Sequence, residues 1–276
     1  MHYRKGPNKV LLLGLTQPIA DAVKVLTKEL IKPHPIKMII FIIGPLVAIF
    51  LIILLWGWYS FIFNIISNNI KILTILRIIR LTAFPFLIIR WGSNRKYSLL
   101  GGYRAVAQII SYEVCLSLFI IIIFYLLENF NTEHLLLIQQ NLWFSLSLLP
   151  LFILWIMLCI AESNRTPFDL AEGESEIVSG FNIEYGSTLF AIIYIREYGI
   201  MIFLRFFTCL LFLNQTFLIF KTITICWIYI WIRCRFPRIR YDNLINSCWK
   251  VCLPYSLRFL LFMIRIFFSY HYLGFR

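Results

Sequence analysis

Apolar residues fall in long runs separated by short polar joints, over about 38–63, 70–91, 103–127, 141–161, 185–210, 217–233 and 248–269. Each run is near the roughly 20 residues that a helix needs to cross a bilayer core of about 30 Å. None shows the two-residue alternation that a membrane barrel strand requires. The pattern therefore predicts an all-α fold, a polytopic membrane helix bundle of about seven transmembrane helices. Residues 10–32 differ: Leu15, Ile19, Ala22, Val23, Leu26 and Leu30 recur at steps of three and four among Asp21, Lys24, Lys28, Glu29 and Lys32. That is an amphipathic helix too charged to span, expected to lie along the membrane surface.

Composition agrees with a membrane chain. The protein has 276 residues, 61% of them hydrophobic and 14% charged, with a mean hydropathy of +0.82. A soluble domain is closer to half apolar and a quarter charged. No long polar block marks a second domain, so residues 1–276 read as one membrane domain. Its parts are a 1–37 surface segment, four spans in 38–161, an acidic loop at 162–184 and three spans in 185–276.

The net charge of +13 points to topology and anionic lipid, not to nucleic acid, because the basic residues flank apolar spans. Segments 1–37, 91–104 and 233–247 carry nearly all the loop Lys and Arg and fall on one side, together with the acidic loop. The opposite side receives 64–69, 128–140 and 211–216. The positive-inside rule makes the basic side the matrix or cytoplasmic face. Seven cysteines without a C-x-x-C pair and four scattered histidines give no expected metal site, haem or iron–sulfur cluster in this chain. No phosphate loop, dinucleotide fingerprint or nucleophile–His–acid set is present in the sequence.

Acidity is concentrated. Glu162, Asp169, Glu172, Glu174, Glu176, Glu184 and Glu197 are seven of the 13 acidic residues, and within 162–184 they are accompanied by a single basic residue, Arg165. Crowded carboxylates repel one another, which favours proton exchange by some of them near neutral pH. A solvated acidic loop is the plain alternative. Phe168, Leu170, Ile177, Val178 and Phe181, interleaved with the acids, favour a packed one. Glu113 lies inside the third span, Glu162 ends the fourth and Glu197 lies inside the fifth. A carboxylate within the hydrocarbon is costly, so each should face the bundle interior, either as a structural hydrogen-bonding group or as a proton site.

The wording of Glu162–Glu184 closely resembles the longest signature of the quinone-chamber membrane subunits of respiratory complex I, the subunit 1 family of NADH:quinone oxidoreductase. Arg4-Lys-Gly-Pro-Asn8, Gln17-Pro-Ile-Ala-Asp21, Leu26-Thr-Lys-Glu29, Arg104-Ala-Val-Ala-Gln108, Ser111-Tyr-Glu113-Val and Pro237-Arg-Ile-Arg-Tyr-Asp242 resemble further landmarks, in family order and over nearly the whole length. The resemblance implies a mitochondrial inner-membrane protein, with a bacterial plasma membrane as the alternative. It also implies ubiquinone as substrate, an iron–sulfur cluster in a neighbouring subunit, other complex I subunits as partners, and bound lipid such as cardiolipin.

The same resemblance places Arg4, Gln17, Asp21, Arg165, Asp169, Glu172, Glu174, Glu176 and Phe181 around the quinone chamber, and Glu113, Glu162, Glu184 and Glu197 on a proton path. It implies no catalytic residue and no NADH-oxidising site in this chain. In the family a helix precedes the Arg4 element, so a separate chain is expected to supply it unless it has been lost. Arg77, Arg80, Arg90 and Arg196 depart from the family pattern and are expected to meet lipid or other subunits. Two other functions compete. A secondary proton-coupled transporter would show an internal repeat, which the sequence lacks. A quinone-independent hydrogenase-type subunit need not carry the Gln17–Asp21 element.

Overall fold

A computed structural model describes residues 6–7, 14–29, 37–57, 71–127, 130, 132–140, 143–170, 184–214 and 216–272. The described residues form helices and no strand: α1 (Gln17–Thr27), α2 (Met38–Gly57), α3 (Lys71–Leu81), α4 (Ala83–Ser93), α5 (Lys96–Leu126), α6 (Thr132–Ile138), α7 (Phe144–Ser147), α8 (Leu149–Glu162), α9 (Ser187–Phe212), α10 (Leu218–Arg235), α11 (Tyr241–Ser247) and α12 (Leu253–Tyr272). A π-helical turn, Cys248–Cys252, joins α11 to α12. The protein is an all-α polytopic membrane bundle. Among the described residues, five stretches are long and apolar enough to cross a membrane: Met38–Gly57, Ile72–Ser93, Lys96–Leu126, Ser187–Phe212 and Tyr241–Ser269.

Proline and glycine explain most departures from the predicted boundaries. The second span breaks at Thr82, between α3 and α4, because Pro85 has no N–H for the carbonyl four residues earlier. The seventh widens into its π turn just before Pro254: Leu253 N–H reaches back five residues to Cys248 O, so the ring is accommodated without a straight α ladder. The third span starts at Lys96, ahead of its predicted start, because the helix runs through Gly101-Gly102. Gly102 is needed there: a Cβ on it would lie 2.4 Å from the Arg90 side chain.

The fourth predicted span is shorter than expected. Leu148 interrupts it, and α8 itself has 14 residues. The sixth, α10, has 18 residues but carries Lys221, Arg233 and Arg235, so it is less apolar than the other spans. Of the first predicted span, residues 58–63 lie outside the described residues.

The core is built around α5, whose buried face includes Tyr112, Cys115, Leu116, Phe119, Ile120 and Ile123. These pack with Leu51 and Leu55 of α2, Trp155 and Leu158 of α8, and Phe203, Leu204 and Phe207 of α9. A smaller cluster joins Phe41, Phe86, Ile89, Ala105, Ile109, Tyr185 and Ile193. In that cluster α2 and α4 approach closely, and a Cβ at Gly92 would stand 2.8 Å from the Phe41 backbone. α1 lies alongside α9, with Leu15, Ile19, Val23 and Leu26 exposed.

The connections sort into two ends. At one end Lys37 N–H bonds Gly92 O (3.3 Å), Arg95 pairs with Glu184 (2.9 Å), and Ile239 N–H bonds Pro167 O (3.0 Å). The Arg104 guanidinium lies 5.8 Å from the Tyr241 ring centre at that end. At the other end Gln139 bonds Leu211 O (2.5 Å), and Asn214 N–H bonds Gln139 Oε1 (3.0 Å). The basic loops and the acidic segment thus share one end, as the charge pattern predicts, and loop-to-loop pairing occurs there.

Candidate functional site

α8 delivers the acidic segment, and Asn164 turns it. Asn164 takes φ 50°, a left-handed conformation that asparagine tolerates, and so ends the helix just past Glu162. The chain then folds inward. Phe168 and Leu170 are buried, and Gln108 of α5 pins the segment by donating to Ala161 O (2.9 Å) and Phe168 O (3.0 Å). The 163–170 portion is therefore a packed loop.

Glu113 of α5, Glu162 of α8 and Glu197 of α9 are all buried. Glu113 and Glu162 lie within electrostatic reach of each other. Arg196 of α9 in turn lies within reach of Glu162 and Glu197. Glu197 is held by Arg165, with Nη2 3.0 Å from Oε2 and side chains only 12% and 8% exposed. Electrostatic reach thus links Glu113 to Glu162, Glu162 to Arg196 and Arg196 to Glu197, which Arg165 of the acidic segment holds. A buried ion pair is an electrostatic commitment, since removing one partner strands the other in a low-dielectric interior.

The expectation that the departing arginines meet lipid or other subunits is overturned for Arg90 and Arg196, which are 1% and 4% exposed. Arg196 donates to Thr82 O (3.0 Å) at the break between α3 and α4, and its guanidinium lies 3.8 Å from the Phe86 ring centre. Arg90 lies 5.0 Å from the same ring and donates to Gly102 O. Backbone carbonyls and one phenyl face thus solvate two cations inside the protein. Arg77 and Arg80 do have exposed surface.

The other sequence candidates divide. Arg4, Glu172, Glu174, Glu176 and Phe181 lie outside the described residues. Gln17 donates to Asp21 Oδ1 (3.1 Å) on exposed α1. Asp169 directly follows buried Phe168. Glu184 joins the loop end through Arg95, apart from the buried series.

Several participants carry little or no signal in the sequence. Gln108 was visible only as part of a landmark. Arg205, buried on α9 with its guanidinium 4.9 Å from the Tyr229 ring centre, carried no signal beyond a charge in an apolar run. Tyr185 stacks on Phe41 (4.0 Å) and donates to Phe41 O (3.2 Å) and Ile89 O (2.9 Å), closing the base of α9 on α2 and α4. Burial pushes its phenol well above the usual range, so it stays a neutral donor.

A family model described as NADH dehydrogenase matches residues 1–264. The chain belongs to the NADH dehydrogenase family. Among curated proteins it is similar to NADH-ubiquinone oxidoreductase chain 1 of Aedes aegypti, 42% identical over 267 residues that cover 95% of this chain and 85% of that protein. The protein of the same name from Rhipicephalus sanguineus is 44% identical, covering 96% of this chain and 85% of that one. That from Trichosurus vulpecula is 40% identical, covering 96% and 87%. In this NADH dehydrogenase family member, the buried acids and the packed 163–170 segment lie within the matched residues 1–264.

Proposed function

We propose that this chain is the quinone-chamber membrane subunit of a proton-pumping NADH:ubiquinone oxidoreductase, respiratory complex I, in the inner mitochondrial membrane. The observation that carries the reading is the Arg165–Glu197 ion pair, which ties the acidic segment to a buried series of carboxylates. In this reading Arg4, Gln17, Asp21, Arg165, Asp169, Glu172, Glu174, Glu176 and Phe181 border the chamber, and Glu113, Glu162, Glu184 and Glu197 handle protons.

Quinone reduction consumes two electrons, delivered from an iron–sulfur cluster in a neighbouring subunit, and two protons. The acids beside the chamber feel that change of charge. Arg165 is the element that passes it on. If the acidic segment shifts with the charge in the chamber, the grip of Arg165 on Glu197 changes, and so does the field at Arg196 and Glu162. Neighbouring complex I subunits and membrane lipids such as cardiolipin complete the assembly.

A ubiquinone analogue with a photoreactive headgroup tests the reading in the intact assembly. Labelled peptides from 1–29 and 162–184, protected by excess ubiquinone, are expected. Protected labelling confined to other chains or other segments contradicts it.

A further inference from the structure

A cavity of about 10 Å³ lies where four helices meet. Leu76, Ile79 and Arg80 of α3, Leu116 and Ile120 of α5, and Leu204 and Phe207 of α9 form most of its wall. Glu113 and Ser117 of α5 and Trp155 of α8 supply the remaining polar groups. Glu113 Oε1 and Trp155 Nε1 are both buried, and neither has a hydrogen-bond partner among the described residues. Ser117 Oγ is already committed to Val114 O (2.8 Å) on its own helix. One unsatisfied acceptor and one unsatisfied donor therefore belong to residues that line the same small space. A buried donor or acceptor left so pays its full desolvation cost.

We infer that this cavity binds one ordered water molecule, which accepts a hydrogen bond from Trp155 Nε1 and donates one to Glu113 Oε1. The volume is close to the smallest that holds a single water, roughly 10–15 Å³. The donors select the ligand. Indole N–H can only donate, and Arg80, also in the wall, is a cation. A metal cation would meet Arg80 and would find only the Glu113 carboxyl and the committed Ser117 hydroxyl, too few oxygens for a hard cation. A neutral water uses a lone pair towards the indole and a hydrogen towards the carboxyl.

Such a water gives Glu113 a solvating partner deep in the bundle, and Trp155 becomes a positioning residue that acts through it. Trp155 is well fixed for this: it is 1% exposed, with its ring centre 6.1 Å from that of Phe207 and 5.9 Å from that of Phe212. The charged groups facing Glu113 are Arg80 from α3 and Glu162 from α8, while α9 presents Leu204 and Phe207. The water site stands on the cavity alone. Its bearing on turnover rests on the proposed function.

The test is a high-resolution map of the intact assembly, read beside two variants. A peak within about 2.6–3.2 Å of both Glu113 Oε1 and Trp155 Nε1 is expected. A cavity without a peak, or filled by a side chain or a lipid tail, overturns the site whatever the chain's activity. W155F removes the donor and keeps a ring. S117T fills the space with a methyl group and keeps the hydroxyl, and it serves if W155F does not assemble. Each is expected to lose the peak and to move the pH profile of quinone reduction by about one unit, the equivalent of one lost hydrogen bond. A peak that persists in both variants overturns the assigned contacts. Loss of the peak with an unmoved profile overturns the role of the water in turnover.

Discussion

Two regions of the chain use the same residue types in opposite ways. Around α5, α8 and α9, charges are inside: Glu113, Glu162, Glu197, Arg90, Arg196 and Arg205 are all at most 9% exposed. Along α10 and α12 the apolar residues are outside. Only Ile225 and Tyr229 of α10 are buried, while Ile219, Phe220, Ile223 and Trp227 are 60–75% exposed. The last span, Tyr241–Ser269, buries 11% of its apolar window against 67% for Lys96–Leu126. The apolar surface of α10 and α12 suits a hydrocarbon surround, where leaving such surface uncovered costs nothing. Burial in a membrane protein therefore reports where polar groups need company, and here that place is the carboxylate series.

Breaking the Arg165–Glu197 pair sharpens this contrast most. R165A or E197A leaves one buried charge alone and is expected to destabilise the assembled chain by about 3–5 kcal/mol, read as thermal stability or loss of assembly. The double replacement R165M/E197M should recover most of that stability and none of the proton-coupled turnover. Recovery of both would mean that the pair is only structural.

R196L removes the bond to Thr82 O and the contact with Phe86 that fasten α9 to the broken second span, at an expected cost of about 2–4 kcal/mol. R196K keeps the charge and should recover part. Q108L strips two hydrogen bonds from the base of the acidic segment and is expected to cost about 1–3 kcal/mol, seen as faster proteolysis near 162–170. At the other extreme, W227L on the outer face of α10 should change stability by less than about 0.5 kcal/mol. A loss as large as that of Q108L would show that α10 is covered by a partner and would break the comparison.

Much of this was legible in the sequence because hydrocarbon imposes long apolar helices, and the runs ending near Leu126 and Phe212 needed little else. The acidic segment was legible because its charges interrupt an otherwise basic, apolar chain. Which way an arginine faces was not. Helices such as α4 and α9 are apolar nearly all round, so periodicity names no inner face for Arg90, Arg196 or Arg205. Their placement depends on partners in other helices or at helix breaks: Gly102 O for Arg90, Thr82 O and Phe86 for Arg196, and Tyr229 for Arg205. Likewise the sequence suggested only that Glu197 sits next to Arg196, whereas folding brings Arg165 to it across 32 residues.

Proton transfer through the buried acids is the centre of the proposed coupling. The direct measurement is proton transport per NADH oxidised in vesicles containing the intact assembly with E162Q. The expected result is normal NADH oxidation with an artificial electron acceptor and strongly reduced proton-coupled quinone reduction. An unchanged rate with an unchanged number of protons per NADH would contradict a role for this series in coupling.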